Sequence, residues 1–208
     1  MMTNFTIAIQ GGAGTLVKGL MTPELEAKYN TDLQDALIKG YDVLSAGGSA
    51  VDAVEIAVKL LEDSPLFNAG KGSVFTAEGT HEMDAAIMDG SNLKAGAVSL
   101  VTGIKNPVSL ARDVMDTSYH VFLAGEGAME FAKSNGHEVL SPDYFYDKVR
   151  YQQWQGIKDT EGFQLDHSVE KGGKFGPVGA VGRRDIWAVE SRISLAGNVY
   201  KRWGSVME

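Results

Sequence analysis

Cysteine is absent from the 208 residues, which removes disulfides, thiolate nucleophiles and Cys-ligated zinc or iron–sulfur centres and fits a reducing compartment. Histidine is scarce too, with four well-scattered residues at His81, His120, His137 and His167. Basic charge is in deficit: 19 Lys and Arg face 27 Asp and Glu, and the formal net charge of −8 repels a phosphate backbone, so nucleic acid is not the expected partner. No apolar run approaches the ~20 residues that span a bilayer, and no basic segment at the N-terminus leads into an apolar one. The expectation is a cytoplasmic chain without a membrane partner.

What is present is apolar surface and glycine. At 44% apolar, the chain supplies one full-sized core, so a single soluble unit is the default. The 25 glycines make about 12% of the chain against a usual ~7%. They cluster without period, which implies tight turns and close backbone approaches.

Phe5 to Gln10 is β-branched and apolar and stops at Gly11-Gly12-Ala13-Gly14, as a buried strand running into a turn would. Thr22-Pro23 reads as an N-cap with proline at the first helical position, and Leu33, Leu37, Tyr41 and Leu44 mark the buried stripe of a long helix closed by Gly47-Gly48. Ser49 caps a second helix with the stripe Val51, Val54, Val58 and Leu61, packed on the first as a hairpin. The segment from Glu62 to Gly72 has too many turn formers for a helix yet carries Leu66 and Phe67, so it reads as an ordered, functionally shaped loop.

Ser73–Thr76, Met83–Met88 and Gly96–Val101 read as short strands of an antiparallel or mixed sheet, with a turn at Asp89-Gly90. Pro107 opens a helix to about Asp116, Val121–Ala124 a strand, Glu126–Asn135 a helix, and Pro142 a helix ending near Lys158. Residues 159–176 turn polar and glycine-rich, as an exposed, mobile linker open to cleavage does. Val178–Val181 and Ile186–Val189 read as strands, and Ser191–Glu208 has no period. The pattern is α+β, helices against a layered sheet.

The glycine turn after the first strand lacks the Lys-Ser/Thr ending of a phosphate loop and reads as a structural turn. His81, Glu82 and Asp84 are split by alternation, His81 on one strand face and the two acids on the other, which describes a solvated strand edge better than a metal site. In the loop from Leu61 to Lys71, turning backbone offers carbonyl oxygens suited to a hard cation.

The segments Ile9–Gly14, Ala46–Val54, Pro65–Gly72, Met83–Gly90 and Gly96–Val98 together resemble the plant-type asparaginase/isoaspartyl peptidase family. The likeness continues through Asn106-Pro107, Gly125–Ala128 and Asp166-His167 to Val178–Val181. It implies an αββα sandwich of the N-terminal-nucleophile hydrolase type. Such a hydrolase is made as a precursor that cuts itself before a threonine, whose hydroxyl, activated by its own α-amine of unperturbed pKa ~8, attacks a side-chain amide. Implied substrates are L-asparagine and β-aspartyl (isoaspartyl) dipeptides, giving L-aspartate, in dimers of αβ protomers. Implied too is a structural sodium ion, with no other cofactor, in the loop marked by Leu61, Glu62, Ser64, Phe67, Ala69 and Lys71, largely through carbonyls. Asn68, inside that loop, would lie near the nucleophile. The division is a first-subunit portion, 1–176, and the start of a second, 177–208, divergent and truncated.

The departures are specific. Gln10 stands where the family usually has histidine. At the cleavage position the chain reads Gly176-Pro177-Val178-Gly179, and proline has no hydroxyl for the acyl shift or the attack. Without gaps, the auxiliary threonine falls on Leu195, and the arginine and aspartate that hold substrate fall on Ser205 and Glu208. Lys201-Arg202-Trp203-Gly204 resembles the family again. The expectation is therefore a hydrolase by family that is inactive as written. The alternatives are a non-catalytic subunit-like or vestigial protein, or a relative from the glycosylasparaginase branch, against which Phe67–Gly70 and Asn106-Pro107 argue.

Overall fold

The computed structural model describes residues 4–12, 21–158, 178–184 and 189–196. Strand β1 (Phe5–Gln10) leads to helix α1 (Pro23–Ser45), which starts where Thr22 Oγ1 accepts from Leu25 N–H at 3.3 Å with Pro23 in the first turn. Gly47, at φ +92°, reverses the chain into α2 (Ala50–Asp63), where Ser49 Oγ accepts from Asp52 N–H at 3.0 Å. The two helices meet closely at Gly40. A Cβ there would collide with Ile7 of β1 and lie 2.9 Å from the Ala53 carbonyl oxygen of α2.

That close approach corrects the stripe expected on α1. Ala36, Gly40 and Leu44 are the buried positions and Leu33 packs beside them, whereas Leu37 and Tyr41 are exposed. A small residue holds the inward face at Gly40 because the Ile7 side chain and the α2 backbone pass there, and Tyr41 rests instead against the Phe5 ring, centroids 5.1 Å apart. The stripe of α2 is the expected one, with Val51, Val54, Val58 and Leu61 all buried.

Further along lie β2 (Met83–Asp89), β3 (Lys94–Val101), α3 (Pro107–Thr117), β4 (Phe122–Ala124), α4 (Gly125–Ser134), α5 (Lys148–Ile157), β5 (Val178–Arg184) and β6 (Val189–Ala196). The strands form one six-stranded mixed sheet in the order β1-β5-β6-β2-β3-β4, parallel only between β3 and β4. The two strands latest in sequence therefore occupy its middle. One face is covered: Gly182 of β5 meets Ala50 and Val54 of α2, and Gly96 of β3 meets Ala111 and Met115 of α3. The other carries Ala8, Val181, Ala86, Met88, Ala95 and Ala97, partly or largely exposed and covered by none of the described helices.

Three expectations are corrected. Ser73–Thr76 is irregular, because its amides are taken by the loop itself: Ser73 N–H donates to Gly70 O, Val74 N–H to the Asn68 side chain and Thr76 N–H to Thr80 O. The helix from Pro142 is a single 3₁₀ turn, Pro142–Tyr144, after which Asp147 accepts from the amides of Val149 and Arg150 and starts α5 afresh. Ser191–Ala196 is strand, its backbone paired with β5 on one side and β2 on the other. The strand expected over Ile186–Val189 is observed from Val189, and residues 186–188 lie outside the described residues, as does the linker at 159–176.

Candidate functional site

The loop after α2 is built from the end of that helix outward. Glu62 is buried, and its Oε1 accepts from Val108 N–H at 3.1 Å, placing a carboxylate at the N-terminus of α3 where the helix dipole favours it. Asp63 holds the preceding residues, accepting from Asn106 Nδ2 at 3.1 Å and pairing with Lys105 at 3.2 Å. Ser64 Oγ donates to Asp32 of α1 at 2.5 Å and accepts from Leu66 N–H at 3.2 Å. The Leu66 carbonyl in turn accepts from Tyr29 Oη at 3.0 Å and Arg150 Nη2 at 3.5 Å. Burial pushes the Tyr29 hydroxyl above, and the Arg150 guanidinium below, their ordinary ranges.

Phe67 is the keystone of packing. Its ring stands edge-on to Tyr29, centroids 5.5 Å apart, and a Cβ on Gly11 would lie 2.7 Å from it. The loop thus presses on the glycine turn that follows β1. Asn68 is buried, and its Oδ1 accepts from Val74 N–H at 3.1 Å. Gly70, at φ +50°, has room for no side chain because a Cβ would meet the Glu62 carbonyl. At Gly72 a Cβ would collide with the Phe67 carbonyl and lie 2.7 Å from that of Pro65.

At these two glycines the carbonyl oxygens of Glu62, Pro65 and Phe67 pack where a side chain would sit, and that of Phe67 accepts from Ala69 N–H at 2.9 Å. Among the described residues no three His, Cys, Asp or Glu side chains assemble to hold a metal. The donors this loop offers are backbone oxygens, which suit a hard cation and not a soft one.

The end of the sheet beside this loop gathers the remaining positions. Gln10, last in β1, pairs with Gly179, and Gly179 pairs with Ile193 of β6. One step along, Val178 pairs with Ser194, which pairs with Ala85 of β2. Leu195 lies opposite Asp84. The strand that starts directly after Pro177 in sequence is thus locked between β1 and β6, next to the turn on which Phe67 sits.

Of the sequence-predicted residues, Leu61 and Glu62 are buried in the last turn of α2, which runs three residues further than the loop expected from Leu61, and Ser64, Phe67, Asn68 and Ala69 are buried in the loop after it. Lys71 turns its ammonium over the Tyr144 ring, 5.3 Å from the centroid. Leu195 is on β6, whereas Gly176, Pro177, Ser205 and Glu208 lie outside the described residues. The solvated edge expected of His81 and Asp84 is corrected, for both are buried. His81 Nδ1 lies 3.2 Å from Ser73 Oγ and its ring 4.2 Å from that of Phe75, and burial holds its pKa below the ordinary value. Asp84 Oδ1 accepts from Ser99 Oγ at 2.6 Å and Leu100 N–H at 2.9 Å.

The pattern of the asparaginase family matches residues 3–207 of the chain. The chain belongs to the asparaginase family. An isoaspartyl peptidase of Salmonella typhimurium is 44% identical over 208 residues, 99% of this chain and 66% of that protein. The isoaspartyl peptidase of Escherichia coli is 46% identical over 86% of this chain and 57% of its own length. A plant-type L-asparaginase of Pyrococcus horikoshii is 47% identical over 74% of this chain and 48% of its own length. The chain thus spans between about half and two thirds of the length of these asparaginase-family relatives. Among the described residues no helix is long and apolar enough to cross a membrane.

Sequence reasoning on the asparaginase motifs found the loop but missed how it is held. Tyr29, Asp32 and Arg150 carried no signal, because their roles depend on helices α1 and α5 meeting Ser64 and Leu66 across 32 to 84 residues of sequence.

Proposed function

We propose that this chain is the first-subunit scaffold of a threonine-type N-terminal-nucleophile amidohydrolase, with Pro177 holding it uncleaved and non-catalytic as written. Intact members of this kind would hydrolyse the side-chain amide of L-asparagine and of β-aspartyl dipeptides to L-aspartate. The observation that carries the reading is the position of β5. It begins at Val178, directly after Pro177 in sequence, and is hydrogen-bonded between β1 and β6 beside Gln10. A residue preceding that strand with a free amine and a hydroxyl would be the nucleophile. Proline offers no hydroxyl, so neither the acyl shift nor the attack on an amide has its oxygen.

Three finer parts go with it. The uncovered sheet face bearing Ala8, Val181, Ala86, Met88 and Ala97 supports a second sheet layer that a second-subunit partner would supply, and hence an αββα sandwich left incomplete in this chain alone. The carbonyl-lined loop supports sodium at Leu61, Glu62, Ser64, Phe67, Ala69 and Lys71, where the ion would brace the loop around Asn68. The boundary of the two portions is taken at 176/177, with αβ protomers pairing as dimers in the cytoplasm.

The test is aspartate release. The purified chain incubated with L-asparagine, and separately with a β-aspartyl dipeptide, should release no aspartate above a heat-denatured control. Residues 1–176 produced together with the second-subunit chain of a relative that begins with threonine, which would supply the strands that β5 and β6 otherwise contribute, should release aspartate from at least one of the two. Turnover by the chain alone overturns the assignment of Pro177, and silence of the mixture overturns the scaffold reading.

A further inference from the structure

Between the pairs Met83↔Val101 and Ala85↔Val98, β2 contributes one residue, Asp84, while β3 contributes two, Ser99 and Leu100. This is a β-bulge, and its second residue, Leu100, sits at φ +56°, a left-handed conformation that a leucine does not adopt without support. The support is visible. Asp84 Oδ1 accepts from Ser99 Oγ at 2.6 Å and from Leu100 N–H at 2.9 Å, so one carboxylate grips both residues of the bulged pair. Asp84 is 4% exposed and Ser99 1%, so the bonds are shielded from water and charge-assisted.

On its other edge the same stretch of β2 carries β6, through Asp84↔Leu195 and Ala85↔Ser194, and Ser194 pairs with Val178 at the start of β5. We infer that Asp84 is a positioning residue for the reaction centre: by clamping the bulge at Ser99-Leu100 it fixes the end of β2 against which β6, and through β6 the start of β5, is set. The inference rests on the reading that the start of β5 is that centre. Without the clamp Leu100 relaxes to an extended conformation, the pairing at the Met83 end of β2 slips by one residue while the pairs from Ala85 onward hold, and the disturbance reaches Val178 in two strand pairings.

Amide hydrogen exchange of the full chain tests this in Asp84→Ala, Asp84→Asn and the double variant Asp84→Ala with Leu100→Gly. Asp84→Ala should speed exchange at Val178–Ala180 and Ser194–Ala196 by about tenfold or more while α2 and the far end of β2, Ile87–Asp89, keep their protection. Asp84→Asn, which keeps one acceptor oxygen, should do the same to a smaller extent. Glycine at position 100 holds the left-handed conformation unaided, so the double variant should return both segments to within about twofold of the parent. A residue that merely fills space or satisfies Ser99 gives no such return. Faster exchange confined to Ser99–Val101, a uniform rise that includes α2, or no rescue by Leu100→Gly overturns the inference. Should Asp84→Ala fail to fold, Asp84→Asn with and without Leu100→Gly is read by the same criteria. Because the readout involves no turnover, its result stands apart from whether any mixture hydrolyses asparagine.

Discussion

The loop after α2 and strand β5 reach the same end of the sheet by opposite means. The loop gets there through packing: Phe67 lies under Gly11, Asn68 is buried, Ser64 and Leu66 are tied to α1, Leu66 also to α5, and Glu62 at the end of α2 to the start of α3. Strand β5 gets there through backbone pairing with β1 and β6, with Gly182 against α2 on one face and Val181 left 39% exposed on the other. The loop residues that carry the resemblance are ones that packing would penalise for changing. On the reading proposed for Pro177, the hydroxyl it lacks is demanded by chemistry and not by the strand pairing, so a chain can keep this fold while that position drifts.

Four perturbations sharpen or break that contrast. Phe67→Ala should cost about 4 kcal/mol in urea unfolding, because a fully buried ring at the junction of loop, α1 and the Gly11 turn leaves a cavity that backbone contacts keep from collapsing. Gly72→Ala should cost about 3 kcal/mol by the same measurement, since the new methyl meets two carbonyl oxygens and the loop must open. A cost for either below about 1 kcal/mol would mean that the loop is not the tightly determined region it is taken to be.

Asn68→Ala should cost about 1 to 2 kcal/mol, the loss of a buried hydrogen bond to Val74 N–H. Val181→Thr on the open face of β5 should change stability by no more than about 0.5 kcal/mol, the expectation for an exposed strand position. A large loss at Val181 would show that its face is covered and would remove the asymmetry.

His81 gives the contrast a pH dependence. Its folded-state pKa is lowered by burial, so the native chain binds fewer protons at this site than the unfolded chain, whose histidine keeps the ordinary value of 6.5. The stability associated with neutral His81 is full above that value and is lost as pH falls through the lowered one. Urea midpoints should therefore fall on acidification below about pH 6.5, and His81→Gln should flatten that part of the profile. An unchanged slope in the variant would contradict the assignment.

Local signals made the helices legible. Thr22-Pro23 and Ser49 announce their caps, the α2 stripe is periodic, and the turn at Asp89-Gly90 separates two strands that pair as expected. On α1, periodicity weighs bulk, whereas the contact at Gly40 selects smallness. Ser73–Thr76 looked like strand by residue type, but Asn68 and Thr80, outside the segment, take its amides. The strand at Ser191–Ala196 was invisible because pairing on both edges, and no hydrophobic period, makes it. At the candidate site the loop was legible through motif likeness. The buried state of Asp84 and the left-handed Leu100 were not, since a bulge is a relation between two strands.

The most direct test of the contrast between a kept scaffold and a lost reactive position is the denaturing intact mass of this 208-residue chain after prolonged incubation in sodium buffer. The account predicts one species at the mass of the unbroken chain. Two fragments meeting at Gly176 and Pro177 would contradict it, because self-cleavage there requires chemistry that proline does not possess.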